Sequence, residues 1–142
     1  MITQEEKFVS TENEQTQQAD ILIREYKQTR WVKNSDMIGK PDALSAWYSI
    51  SQLEEFIALA KSNGGDGIKL YYGAYPAHYI DEPAYAGRQT LVMVATRTKK
   101  SASDLITNKD IYVRKNGRLK ILSGLHPIVC PPSCGSARRR CP

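Results

Sequence analysis

The sequence predicts an α+β fold, two helices packed on a mostly antiparallel sheet of about four or five strands. Three observations carry this. Two stretches combine an N-cap signature with apolar residues at helical spacing. Two short runs, Ile68-Lys69-Leu70-Tyr71-Tyr72 and Thr90-Leu91-Val92-Met93-Val94-Ala95, are rich in β-branched and aromatic residues and bounded by turn formers. A third pair of runs flanks Asn116-Gly117, the strongest short hairpin signal, because a type I′ turn needs positive φ twice.

Taken in order, residues 1–10 are polar and predict a disordered lead. Thr11-Glu12-Asn13-Glu14 is a capping box, with Thr at the N-cap and Glu at N3. It opens a helix to about Thr29, with Ala19, Leu22, Ile23 and Tyr26 as its apolar stripe. Residues 31–45 read as a connector whose turn is Gly39-Lys40-Pro41-Asp42. Residues 46–48 are a candidate edge strand. The second helix starts at one of two overlapping caps, Ser49 with Gln52 or Ser51 with Glu54. Leu53, Phe56, Ile57 and Ala60 give its buried face, and Asn63-Gly64-Gly65 ends it with a left-handed residue.

The first strand, 67–73, sets Ile68, Leu70 and Tyr72 on one face, read as core, and Lys69 and Tyr71 on the other. The second, 90–97, is apolar on both faces and predicts a central position. Between them, 74–88 carries Tyr75, His78, Tyr79 and Tyr85. Long loops inside compact domains are often functional, and tyrosine gives large contact area at low entropic cost. These four residues are therefore candidates for binding a protein or small-molecule partner; the competing reading lays the tyrosines over the sheet as a lid. After a polar linker, residues 111–122 form the hairpin, with Lys115 facing Arg118 and Val113 facing Lys120.

The segment 130–142 is a Cys-, Pro- and Arg-rich tail outside a single domain of 11–129. All three cysteines fall there, and His126, Cys130, Cys134 and Cys141 supply four zinc ligands. A Cys130–Cys134 disulfide with Cys141 left over is the alternative.

The 142 residues carry a net charge of +5, unevenly spread. Residues 1–66 hold 7 Lys and Arg against 11 Asp and Glu, and the remainder holds 13 against 4. This asymmetry makes the second half a candidate for anionic partners, with Arg114, Lys115, Arg118 and Lys120 as the anion- or nucleic-acid-binding set. The commoner use of such a face is solvation. No apolar run approaches the roughly 20 residues of a membrane span. The opening residues have neither a basic region nor an apolar core of a secretory leader, so a cytoplasmic location is expected. No P-loop, nucleophile-elbow, zinc-protease or dinucleotide-binding pattern occurs. His78 with Asp81 and Glu82 is the one compact ionisable set, and a surface loop explains these residues as well. The expected function is thus a non-enzymatic interaction or ligand-binding module, with a zinc protein and a nucleic-acid binder as alternatives.

Gly67-Ile68-Lys69-Leu70-Tyr71-Tyr72-Gly73, Thr90-Leu91-Val92-Met93-Val94 and Cys130-Pro131-Pro132-Ser133-Cys134-Gly135 together resemble a group of small Bacteroidota proteins without a known activity. In that group a helix leads into a glycine-bounded aromatic strand, and a C-P-P-x-C element closes the chain. The resemblance spans about residues 45–135 and implies a bacterial, cytosolic origin; it transfers no activity, and the Arg-rich extension departs from it.

Overall fold

A computed structural model describes residues 4–134. The chain is α+β, with antiparallel strands throughout, and divides into two compact units, Met1–Asp42 and Ala43–Pro142.

The first unit is helical. Helix α1 (Gln4–Tyr26) continues through a π-helical turn (Lys27–Trp31) into α2 (Val32–Ile38). Two expectations are corrected here. Residues 4–10 are helical rather than a disordered lead, so the Thr11 cap does not start the helix. The connector expected from Trp31 is helical as far as Ile38, and Gly39 is its stop: at φ 74° its N–H bonds Ser35 O at 2.9 Å. The chain then folds back on the helix, where Trp31 Nε1 donates to Asp42 O at 2.8 Å and Asp42 N to Ser35 Oγ at 2.9 Å.

The second unit holds β1 (Ser45–Trp47), α3 (Ile50–Ser62), β2 (Gly67–Ala74), β3 (Gln89–Lys100), β4 (Ile106–Asp110), β5 (Tyr112–Lys115), β6 (Arg118–Ile121) and β7 (Ile128–Cys130). The strands form three sheets, β2-β3-β4, β5-β6 and β1-β7. Of the two caps weighed for α3, Ser49 with Gln52 is the one formed, with reciprocal 3.0 Å bonds. The helix lays Phe56 and Ala60 against Met93 and Ala95 of β3, and Ile111 and Leu122 close the cluster. Burial of a side chain such as Phe56 or Met93 stabilises by about 1.5–3 kcal/mol. At the helix end, Gly64 takes φ 78°, and the Arg97 guanidinium donates to Gly64 O at 2.9 Å and Asn63 O at 2.8 Å. This cation sits where the helix dipole favours it.

Strand β3 is central, as its two apolar faces predict. It pairs with β2 over Gln89 to Thr96 and with β4 over Thr96 to Lys100, and a single bridge joins Val94 to Ser123. The expected polar linker is thus in part strand: β3 extends to Lys100 and β4 returns beside it. The tail boundary at residue 130 also falls inside a strand. Cys130 pairs with Ser45 in the β1–β7 ladder, so the chain to Cys134 belongs to this unit. The β5–β6 register is the expected one, Lys115 opposite Arg118 and Val113 opposite Lys120, with positive φ at Asn116 and Gly117.

Candidate functional site

Strand β2 is the outermost strand of its sheet, and among the described residues no strand pairs with its outer side. The direction of its backbone groups follows from its neighbour. Ala95 N donates to Leu122 O at 2.9 Å, and Ala95 O accepts from Ile111 N at 2.9 Å; Met93 O accepts from Gly124 N at 3.0 Å. These groups point away from β2. In an antiparallel ladder, residues directly opposite each other either exchange both bonds or turn both sets outward. Ile68 and Leu70, opposite Ala95 and Met93, therefore direct their N–H and C=O to the free edge, and Tyr72 continues the alternation.

The same three residues carry exposed apolar side chains. Ile68 is 37% exposed, Leu70 51% and Tyr72 84%. This corrects the expectation that they are core: alternation placed them on one face, but α3 covers Met93 and Ala95 of β3 rather than the full width of β2. On the opposite face Lys69 and Tyr71 lean inward across β3. Lys69 Nζ reaches Asp110 Oδ1 of β4 at 2.8 Å, and Tyr71 OH donates to Asp110 Oδ2 at 2.5 Å. Val94, opposite Lys69 on that face, is 1% exposed. The hydrogen bond from Lys69, followed by that from Tyr71, holds the Asp110 carboxyl below its ordinary range. The bond to Asp110 raises Lys69 above the ordinary lysine value. The edge therefore has no free charge. Natural sheets guard exposed edges with charge, proline or a bulge, and β2 has none of these in play.

The residues singled out in the sequence fare differently. Tyr75 and Tyr85 are buried, in a second small core with Ala43 and Val129, and Tyr79 packs against it. The Tyr75 ring centroid lies 4.9 Å from Tyr79, 5.4 Å from Tyr85 and 6.1 Å from His126. Burial raises the Tyr75 phenol above its ordinary value. Tyr75 and Tyr85 are thus packed into this cluster rather than presented on the surface. His78 is exposed and joins no cluster. The 74–88 loop folds back on itself: Tyr75 N bonds Arg88 O at 2.9 Å, and Arg88 Nη1 donates to Ala84 O at 2.5 Å.

The zinc set does not assemble. Cys130 and Cys134 are joined in a disulfide, with Cα atoms 4.7 Å apart, and bridged sulfurs are not thiolate ligands. His126 lies beside Tyr75, and no group of His, Cys, Asp or Glu among the described residues gathers to hold a metal. Cys141 and the run Arg138, Arg139 and Arg140 lie outside the described residues.

Arg114, Lys115, Arg118 and Lys120 are brought together on the β5–β6 hairpin, all exposed. None of them takes part in the Lys69–Asp110 or the Lys100–Asp104 ion pair. Register places Lys115, Arg118 and Lys120 on one face and Arg114 on the other, beside exposed Tyr112 and Leu119. A shallow groove of about 260 Å³ also opens between α3 and residues 123–125, floored by Phe56 and Met93.

Comparison with protein-family models, curated proteins and solved structures returned no match to the chain. No helix among the described residues is long and apolar enough to cross a membrane.

Proposed function

We propose that this protein is a non-enzymatic interaction module that takes up an extended segment of a partner along the outer edge of β2. One observation carries the reading: the outward backbone groups of Ile68, Leu70 and Tyr72 coincide with their exposed apolar side chains. In strand addition, main-chain bonds give affinity and alternate side chains give selectivity. The test uses capped synthetic octapeptides, one alternating apolar and polar residues and one wholly polar. The alternating peptide shifts the amide resonances of Ile68, Leu70 and Tyr72, and Leu70→Lys abolishes the response. Amides that do not respond to either peptide would overturn the reading.

A second reading rests on the hairpin. Four exposed cations without an ion-paired carboxylate among the described residues, with Tyr112 beside Arg114, suit an anionic strand such as single-stranded nucleic acid. Retention of a labelled oligonucleotide that falls steeply with salt supports it, and salt-insensitive or absent retention contradicts it.

The Cys130–Cys134 bridge favours an oxidising compartment over the cytoplasm, where such pairs are normally reduced. A thiol count on protein trapped with alkylating reagent at lysis tests this.

A further inference from the structure

We infer that the segment taken up along β2 is β2 of a second copy of this chain, paired antiparallel about a two-fold axis through Leu70. The inference rests on the strand-uptake reading of the same edge. A two-fold axis normal to the sheet keeps each face of one copy continuous with the same face of the other, and it pairs residues of equal parity. Centred on Leu70, it sets Ile68 of one copy opposite Tyr72 of the other, and Leu70 opposite Leu70. These are the residues whose N–H and C=O point outward, so the new ladder is in hydrogen-bonding phase. The exposed apolar side chains become cross-strand neighbours, and Gly67 meets Gly73 at the ends without side-chain conflict.

Charge selects the occupant, and the reach of the ladder selects the register. Lys69 is the sole ionisable cation or carboxylate between Gly67 and Ala74, and Asp110 balances it at 2.8 Å. A strongly acidic or basic strand gains nothing at such an edge, whereas a second copy brings an equally balanced one. With the axis through Lys69, Tyr72 would fall opposite Asp66, outside β2, and the ladder would be shorter. With the axis through Leu70, each Lys69 faces the other copy's Tyr71, a phenol of the kind it already approaches in its own chain at 5.3 Å from the ring centroid. Sheet continuation across a closed two-fold also removes this edge from further pairing.

The experiment is analytical ultracentrifugation of the full chain over a concentration series, with circular dichroism to confirm folding of each variant. The wild type shows a monomer–dimer equilibrium. Leu70→Lys and Leu70→Glu, at a half-exposed position, each weaken the dimer by at least about tenfold, because like charges then meet at the axis. Mixing the two variants restores a one-to-one dimer, since Lys and Glu face each other in this register and in no other. A wild-type dimer that is indifferent to both variants, or variants that fail to rescue one another, would overturn the Leu70-centred pairing. A wild-type chain that stays monomeric to about 1 mM would overturn the second copy as occupant. In that case the octapeptide titration on the monomer decides the underlying reading: a response at Ile68, Leu70 and Tyr72 preserves strand uptake, and silence removes it as well.

Discussion

Lys69 on β2 and Asp110 on β4 meet across the whole width of β3, Nζ to Oδ1 at 2.8 Å. The pair turns the one cation of an outer strand away from the edge that it would otherwise guard.

Asp110→Asn removes the charge that draws Lys69 inward. The freed ammonium then hydrates beside the edge, and uptake of the alternating octapeptide weakens several-fold, while Lys69→Met retains it. Titration calorimetry on the three proteins checks this.

The same pair sets a pH window. Asp110 has its carboxyl lowered on folding, so its contribution is present above the ordinary Asp value of about 3.9 and is lost as pH falls through the lowered one. Lys69 is raised, so its contribution is complete below about 10.4 and is lost as pH rises through the raised value. Between these limits the pair adds no slope. Subtracting the denaturation profile of Asp110→Asn from that of wild type should give a plateau over that range, falling away on both sides.

Arg97 holds the carbonyl end of α3 through Asn63 O and Gly64 O. Arg97→Ala should destabilise by about 1 kcal/mol, the value of a typical hydrogen-bonded cap at an exposed helix end. Gly64→Ala should cost as much or more, because φ is 78° and a Cβ would lie 2.5 Å from Arg97 Nη2. Urea unfolding measures both.

In the 74–88 loop, core and surface separate cleanly. Tyr75→Ala should destabilise by about 3 kcal/mol as a large buried aromatic is removed, and His78→Ala should stay within about 0.5 kcal/mol. Equal effects at the two positions would contradict the packed arrangement.

Much of this fold was legible in local signals. Asn116-Gly117 fixed the hairpin register because turn type and register are coupled; two overlapping caps, at Ser49 and Ser51, bracketed the start of α3; and two apolar faces marked β3 as central. The misreadings share a physical origin in long-range packing. Gly39 serves equally as a turn residue or a helix stop, so local sequence does not separate a connector from a helix through Ile38. Tyr72 alternates with Ile68 and Leu70, which shows a shared face and leaves open what covers it. Tyr75 and Tyr85 became core through Ala43 and Val129, which come from distant parts of the chain. The pairing of Lys69 with Asp110 spans 41 residues and has no local signature.

Amide hydrogen exchange of β2, followed residue by residue at low and high protein concentration, decides whether its outer edge is the interaction surface. The outward amides of Ile68, Leu70 and Tyr72 should exchange quickly in dilute solution and become protected as concentration rises or as the alternating octapeptide is added. The inward amides of Lys69 and Tyr71 should be protected throughout. Outward amides that exchange at one rate under all three conditions would contradict the assignment.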